Sequence, residues 1–397
     1  MSLREVPRLV WVLAVGRFLG STSSYLMLFL TLYLTGPRDL SVAAAGLVVG
    51  GSGAGLLLGS FTGGKWGDHF GHRPVLLLGS TVGGLGTIAV PWAPTWSVAA
   101  ALPVLAYVGA TASVSTGALA ALAVDRGDRR TSIAISRAAS NAGFVIGPPL
   151  GALILTQGSN DSGWTALFVV EGLMILVVRF LVAPFLPREQ RHRVARADGA
   201  EPAGLLRSIR ADRALMALLP AIVVVDLVYR QLYTTVPLHL RDAGQSVALY
   251  AVLNAIGSGL ILLLEVPVAL RLRRYASYSI IASGYALVGV GFALFGLPVS
   301  IATAVVAMVV LTAGEILYKT TATAHVLDAA PDHLVGQYQG LYAGAATSGT
   351  LLAGPVGTAV YAAAPTLLWP LCGVAGLAAA ATVLWSRRLT VRPDPAA

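Results

Sequence analysis

Charge is the property that this sequence has least of. Asp, Glu, Lys and Arg make up 11% of the 397 residues, whereas a soluble domain has about 25%. So little charge does not cover the surface of a soluble protein of this size. Apolar residues reach 56%, which excludes a disordered chain, because disordered segments are poor in apolar residues. The composition therefore indicates a protein that crosses a membrane several times.

Cysteine is nearly absent as well. Cys372 is the single cysteine and lies in an apolar run, so no intrachain disulfide can form. The six histidines have no spacing typical of a metal site. We therefore expect neither a metal nor another cofactor. Lysine occurs only at Lys65 and Lys319 among 27 basic residues, a bias that favours a GC-rich bacterial source.

Twelve apolar runs divide the chain. Each is long enough for a membrane-spanning helix, which needs about 20 apolar residues. We expect twelve transmembrane helices and an all-α membrane protein. The runs cover 9–34, 42–62, 75–93, 98–124, 131–157, 165–186, 214–240, 247–270, 279–297, 300–327, 337–362 and 367–386.

The basic residues predict the orientation. Twenty of the 27 Lys and Arg lie at the termini and in the loops on the same side, whereas the opposite loops hold only Arg38 and Arg241. By the positive-inside rule both termini are cytoplasmic. This distribution explains the net charge of +9 better than nucleic-acid binding does. We expect a protein of the bacterial inner membrane.

The chain divides into two halves of six helices. The arginine-rich stretch 188–213 separates residues 1–187 from residues 214–397 and is predicted to be a cytoplasmic linker. Part of it, 205–213, could instead be a lipid-binding amphipathic segment. Each half has a Gly-Pro pair after small residues in its fifth helix. We therefore expect two six-helix bundles, 1–187 and 214–397, related by a pseudo-two-fold axis along the membrane normal.

The loop after the second run contains a spaced set of glycine, aspartate and arginine. Its members are Gly64, Asp68, Gly71 and Arg73. The pattern resembles the cytoplasmic signature of the major facilitator superfamily, although His69 and His72 stand where basic residues are usual. The resemblance implies the twelve-helix transporter fold. We expect Asp68 to pair with cations or a helix N-terminus of the other half, so that it latches one conformation.

Two further glycine patterns lie in the first half. Glycines at 51, 55, 59 and 63 form a smooth helix stripe, either for static packing or for sliding. The fifth run contains Gly143, Gly147, Pro148 and Gly151. This second set resembles the antiporter signature of the same superfamily, with Ala152 in place of a glycine, and in the family it marks exporters. The alternative is a kinked packing helix.

Four ionisable residues lie near the middle of predicted spans. Asp226 is followed by Arg230, and Glu315 by Lys319, each at the i+4 spacing that pairs acid and base on one helix face. Charge at this depth is costly and indicates function, although two structural pairs are the alternative. The acids resemble those of proton-driven multidrug antiporters, except that Lys319 replaces an apolar residue. We expect all four to take part in proton coupling.

Polar and aromatic residues near these acids are candidates for a substrate-binding surface. They are Arg17, Tyr25, Tyr229, Gln231 and Tyr318. For the aromatic members, packing or interfacial roles remain open. Two other acids, Glu171 and Glu265, lie nearer the span ends and are more consistent with gates or structural pairs.

The function predicted from these patterns is proton-coupled export of small amphipathic compounds, including drugs, by alternating access. We expect a monomer that interacts with substrate, protons and lipids, and no enzyme, because no nucleophile–base set appears. An alternative is a carrier of an anionic or zwitterionic metabolite, since five basic residues lie in spans against four acids. A receptor or sensor is another alternative, although no soluble output domain is apparent.

Overall fold

The computed structural model describes residues 5–24, 29–30, 33–34, 36–40, 42–157, 160–187, 205–245 and 247–389. Within these ranges all regular structure is helical. Helices of 15 or more residues are numbered in chain order. They are α1 Arg8–Thr22, α2 Val42–Phe70, α3 His72–Ala89, α4 Thr95–Leu122, α5 Arg129–Gln157, α6 Asn160–Val182, α7 Arg213–Tyr229, α8 Val247–Arg271, α9 Ser277–Leu294, α10 Ile301–Asp328, α11 Val335–Ala363 and α12 Pro365–Ser386.

Ten of these helices are long and apolar enough to cross a membrane, which confirms a helical protein with many spans. The described parts of α1 and α11 are not among the ten, so the number twelve stays a prediction.

Side-chain capping explains where two of the helices begin. Ser300 and Thr303 form a reciprocal capping box at the start of α10. The side chain of Asp212 accepts a hydrogen bond from Leu215 N at the start of α7.

The predicted end of the second span is wrong. That span was expected to end at residue 62, but α2 continues to Phe70. Gly64 and Asp68 therefore lie on a helix rather than in a loop. The helix ends where Gly71 adopts φ 96°, a conformation that favours glycine. The glycines at 63 and 64 favour a loop by their sequence, but in α2 they allow close packing against neighbouring backbone, so the helix continues through them.

The predicted seventh span is interrupted. It was expected to run unbroken from 214 to 240, but α7 ends at Tyr229 and Arg230 occupies a turn. Short helices Gln231–Thr234 and Val236–Asp242 follow. In the turn, Tyr233 N donates to Arg230 O, three residues back. Arg230 itself keeps helical dihedrals, and its N donates to Asp226 O at 2.9 Å, so the two side chains still lie on one helix face.

Two compact units make up the molecule. The first contains the described residues of Met1–Ala195 with Ala330–Gly344, and the second those of Arg196–Ala329 with Ala345–Ala397. The start of α11 thus groups with the first unit. The expected linker falls mostly on residues 188–204, which lie outside the described residues, so the boundaries at 187 and 213 stay predictions.

In the first unit, α2 packs against α4, α1 against α5, and α3 against α6. The glycine stripe of α2 allows this helix to lie close to α4. A Cβ atom added at Gly55 would meet the backbone of Pro103, and one added at Gly59 would meet the backbone of Tyr107. In the second unit, α9 packs on α10 and α12, α8 on α10, and α7 on α12.

Candidate functional site

The first acid–base pair lies where α7 ends. Asp226 is on the last turn of α7 and is buried, and Arg230 is the turn residue that follows. Arg230 Nε lies 3.3 Å from Asp226 Oδ1 and 3.5 Å from Oδ2. Arg230 Nη2 also lies 3.5 Å from the carbonyl oxygen of Ala346 on α11. The structure thus brings together the first pair expected from the i+4 spacing.

The second pair lies on α10 and is joined to α7 by a tyrosine. Lys319 Nζ donates to Glu315 Oε1 at 2.8 Å. The hydroxyl of Tyr229 donates to Glu315 Oε2 at 2.7 Å. Lys319 Nζ also lies 3.6 Å from the centre of the Tyr229 ring, a cation–π distance. Tyr229 therefore contacts both members of the second pair from the helix that carries the first.

The four charged side chains differ in accessibility. The side chains of Asp226 and Glu315 are each 6% exposed, whereas those of Arg230 and Lys319 are 29% and 23% exposed. The two cations are thus more accessible than the two carboxylates. Each buried carboxylate is paired with one cation, so the cluster is neutral overall, which reduces the cost of burying the carboxylates.

Glycines of α11 allow that helix to approach the cluster. A Cβ atom added at Gly349 would lie 2.6 Å from Asp226 Oδ2. A Cβ atom at Gly357 would collide with the Gln231 amide. The Gln231 amide is buried and bonds within the protein: Nε2 donates to Leu227 O and Ala353 O, and Oε1 accepts from Thr234 and Thr235.

The other residues expected to bind substrate are dispersed or lie outside the described residues. The buried ring of Tyr318 packs on Tyr285, with ring centres 5.0 Å apart. Arg17 is half-buried on α1, in the first unit. Tyr25 lies outside the described residues. Of these candidates, Tyr229 contacts an acid of the cluster through its hydrogen bond to Glu315.

Asp68 binds the first turn of α11. Its Oδ1 accepts a hydrogen bond from Gly336 N at 2.8 Å, and its Oδ2 accepts one from Gln337 N at 2.7 Å. A carboxylate at this position compensates the positive end of the helix dipole. A Cβ atom added at Gly64 would collide with Gly336 O, so Gly64 must stay small for α11 to approach.

His72 completes this contact from the first turn of α3. Its Nε2 lies 3.4 Å from Asp68 Oδ1, and its ring lies between Gly67 and Gly336, where a Cβ atom on either glycine would collide with it. Gly71, with its positive φ, supplies the break between α2 and α3 that orients His72. Arg73 is half-buried on the same turn.

The glycines of the antiporter-like motif pack against the end of α1. A Cβ atom at Gly143 would lie 2.5 Å from Phe18 O, and one at Gly147 would lie 2.7 Å from Thr22 O. Ser21 and Ser140 join the same two helices through hydroxyls 2.7 Å apart. Gly151 is buried, and α5 is helical through the position of Pro148.

The sequence profile of the Major Facilitator Superfamily matches residues 12–355, which is most of the chain. The chain belongs to the Major Facilitator Superfamily. It is therefore a membrane transporter with many spans. Two uncharacterized MFS-type transporters of Bacillus subtilis are similar to it. YqjV is 24% identical over 85% of this chain and 82% of its own length, and YttB is 25% identical over 88% and 87%.

A third relative within the superfamily is similar over a shorter stretch. The methyl viologen resistance protein SmvA of Salmonella typhimurium is 28% identical over 33% of this chain and 26% of its own length. Among solved structures, a bacterial homologue of the iron transporter ferroportin, in an outward-facing state, has a TM-score of 0.76 at 16% identity. The match covers 96% of this chain and all of that one. This likeness supports the MFS fold.

Sequence patterns missed several residues of the site in this MFS chain. The sequence predicts a helix N-terminus of the other half as one possible partner of Asp68, but it does not single out Gly336 and Gln337, because any residue supplies an N–H group. Glu265 was assigned to a gate or a structural pair; it is fully buried on α8 and accepts a hydrogen bond from Thr320 on α10. Within the described residues no group of three His, Cys, Asp or Glu could hold a metal.

Proposed function

We propose that this chain is a proton-coupled secondary transporter in which Glu315 and Asp226 exchange protons. The observation that carries the proposal is the presence of two buried carboxylates, each held by a cation four residues later, with Tyr229 of α7 bonded to Glu315 of α10. Ionisable groups at such depth are costly and mark ion and substrate pathways. A receptor would not need to keep two such pairs.

Coupling requires a carboxyl group that alternates between its two protonation states. A closed ion pair keeps the carboxylate ionised, whereas a buried carboxylate that loses its cation favours the protonated form. Lysine can itself lose a proton when buried, whereas arginine effectively cannot. Glu315–Lys319 is therefore the switchable pair, and Asp226–Arg230 is the stiffer one.

The proposed cycle is alternating access, with Gly64, Asp68, Gly71 and Arg73 as the conformational switch. The two hydrogen bonds from Asp68 to the start of α11 support this role. Gly143 and Gly147 keep α5 close to α1. The transporter acts as a monomer in the inner membrane of a bacterium, surrounded by lipid.

Two substrate schemes follow from different observations. The resemblance of the α5 motif to exporters, and the partial similarity to the methyl viologen resistance protein, support export of small amphipathic compounds in exchange for protons. The exposure of Lys319 and Arg230 relative to their carboxylates supports the second scheme, a carrier for a compound with an anionic group.

The test is transport by the purified chain in proteoliposomes with an imposed pH gradient. Ethidium serves as the cationic probe and fluorescein as the anionic probe. We expect one of them to move with the gradient and to be accompanied by protons, and Glu315→Gln to abolish this movement while substrate binding remains. The control is Asp125→Asn, which neutralises an exposed acid outside the helices. Unchanged proton-coupled transport by the Glu315 variant would contradict the proposal, as would movement of neither probe.

A further inference from the structure

We infer that the substrate presents an anionic group to this site, and that the group binds Lys319 and Arg230 as a proton binds Glu315. The inference rests on the proposed function and concerns the same cluster. The substrate class is an organic compound with a carboxylate or sulfonate group.

Accessibility is the first step of the argument. The Lys319 and Arg230 side chains are 23% and 29% exposed, whereas the side chains of Glu315 and Asp226 are each 6% exposed, so the cations are the more accessible charges of the cluster. A cationic substrate would first have to displace both cations and would then lie close to them. Like charges at contact distance repel strongly in a medium of low dielectric. An anionic group is attracted to the two accessible cations, and protonation of Glu315 removes one of the two carboxylates that repel it.

The second step is the supply of donors. Arg230 presents its Nε to Asp226 and one Nη to the Ala346 carbonyl. A guanidinium has five N–H donors, so donors remain for an anion, and its planar geometry suits a carboxylate or phosphate. Lys319 donates to Glu315 Oε1, and this ion pair has to open before the ammonium group binds an anion.

The third step is the exchange at Glu315. When the Lys319 ammonium pairs with the substrate anion, its ion pair with Glu315 breaks. Tyr229 still donates to Glu315 Oε2, and Oε1 takes a proton from water, because an uncompensated buried charge is costly. The substrate adds one negative charge and the proton one positive charge, so the net charge of the cluster does not change.

The groups around Glu315 fit this exchange. Asp226 interacts with Lys319 as well as with Arg230, so one carboxylate stays near both cations. Tyr229 donates to Glu315, and Tyr233 also lies close enough to interact with this acid. On α8, Glu265 is bonded to Thr320, one residue beyond Lys319. None of these groups supplies a cation that could replace Lys319.

The exchange also predicts the direction of coupling. Substrate and proton bind in the same step, so they cross the membrane together, and an inward proton gradient drives uptake. In the export scheme, by contrast, the substrate and the proton compete for one carboxylate and bind in different steps.

The experiment uses two probes of the same shape and opposite charge. The full chain in lipid nanodiscs is titrated calorimetrically with naphthalene-2-carboxylate and with 2-naphthylmethylamine, in two buffers of different ionisation heat. We expect the carboxylate to bind, the amine not to bind, and about one proton to be taken up for each carboxylate bound. In the Glu315→Gln variant the carboxylate should still bind, without proton uptake.

Lysine variants connect binding to the site. Lys319→Gln should weaken binding of the carboxylate at least about tenfold, and Lys319→Arg should restore part of it. Lys65→Gln, at the chain's other lysine, is the matched control and should have no effect. Because Lys319→Gln leaves Glu315 without its cation, the double variant Glu315→Gln/Lys319→Gln is also measured. It leaves neither charge and should still lose carboxylate binding.

Three outcomes would overturn the inference. They are binding of the amine that depends on Glu315, binding of the carboxylate without proton uptake, and binding of neither probe up to about 10 mM, beyond the range of weak specific binding. These outcomes differ from failure of the proposed function. If the amine binds and transport remains proton-coupled, the inference of an anionic substrate is rejected, whereas the proposed function is not. Carboxylate binding with unchanged proton coupling in Glu315→Gln rejects the role of Glu315.

Discussion

At the residue scale, Arg38 is one side chain that satisfies several hydrogen-bond acceptors. Its guanidinium donates to the carbonyl oxygens of Val90, Pro91 and Ala93 at 2.7–2.9 Å, just beyond the end of α3, and to the Tyr33 hydroxyl at 2.6 Å. Carbonyl groups at a helix end lack partners within the helix. Arg38 therefore stabilises the end of α3, a role that its position outside the predicted spans did not indicate.

We expect Arg38→Gln to lower the free energy of unfolding by about 2–3 kcal/mol, because charge-assisted hydrogen bonds to several carbonyl groups are lost. Arg38→Lys should recover less than half, since an ammonium cannot reach three carbonyls as a planar fork can. The measurement is thermal unfolding in detergent, with Arg207→Gln at an exposed position as the control. Equal stability of the Gln variant and the control would contradict this role.

At the scale of whole helices, the sequence predicted some features well and others poorly. The spans around α8 and α10 were placed within one residue at each end, because each is one apolar run with polar ends. The end of α2 and the break at Arg230 were missed, since both depend on packing and on local hydrogen bonds. Likewise, the i+4 pairs were predictable within single helices, whereas the Tyr229–Glu315 bond joins two helices and was not.

Asp68 should control the balance between conformations through the start of α11. Asp68→Asn keeps the shape of the side chain but replaces one accepting oxygen with an NH2 group, which cannot accept from a backbone N–H. The loss of this hydrogen bond should weaken the contact between Asp68 and α11 by about 1–2 kcal/mol. We expect the inward–outward balance to shift, measured by the accessibility of single cysteines on each face. Asp212→Asn is the matched control, because Asn caps a helix start about as well as Asp does. If both variants change the cysteine accessibility equally, or if neither changes it, the role of Asp68 as a switch is contradicted.

For the whole molecule, the open question is whether α11 crosses the membrane like its neighbours. The charge distribution predicts twelve spans with cytoplasmic termini, which places the start of α11 on the cytoplasmic side and its end outside. Exposed alanines lie near the two ends of α11, at Ala329 and Ala363. In a Cys372→Ala background, which removes the native thiol, each is replaced by cysteine in turn.

A membrane-impermeant maleimide should label Ala363→Cys in intact cells, and Ala329→Cys only in inside-out vesicles. The reason is geometric: 29 helical residues extend about 44 Å at 1.5 Å per residue, more than the roughly 30 Å thickness of the hydrocarbon core. Cysteines at Leu297 and Tyr275, which flank α9, serve as the control pair, because α9 is one of the ten helices apolar enough to cross. If the α11 pair labels from one side while the α9 pair labels from opposite sides, α11 does not span, and the twelve-helix arrangement is rejected.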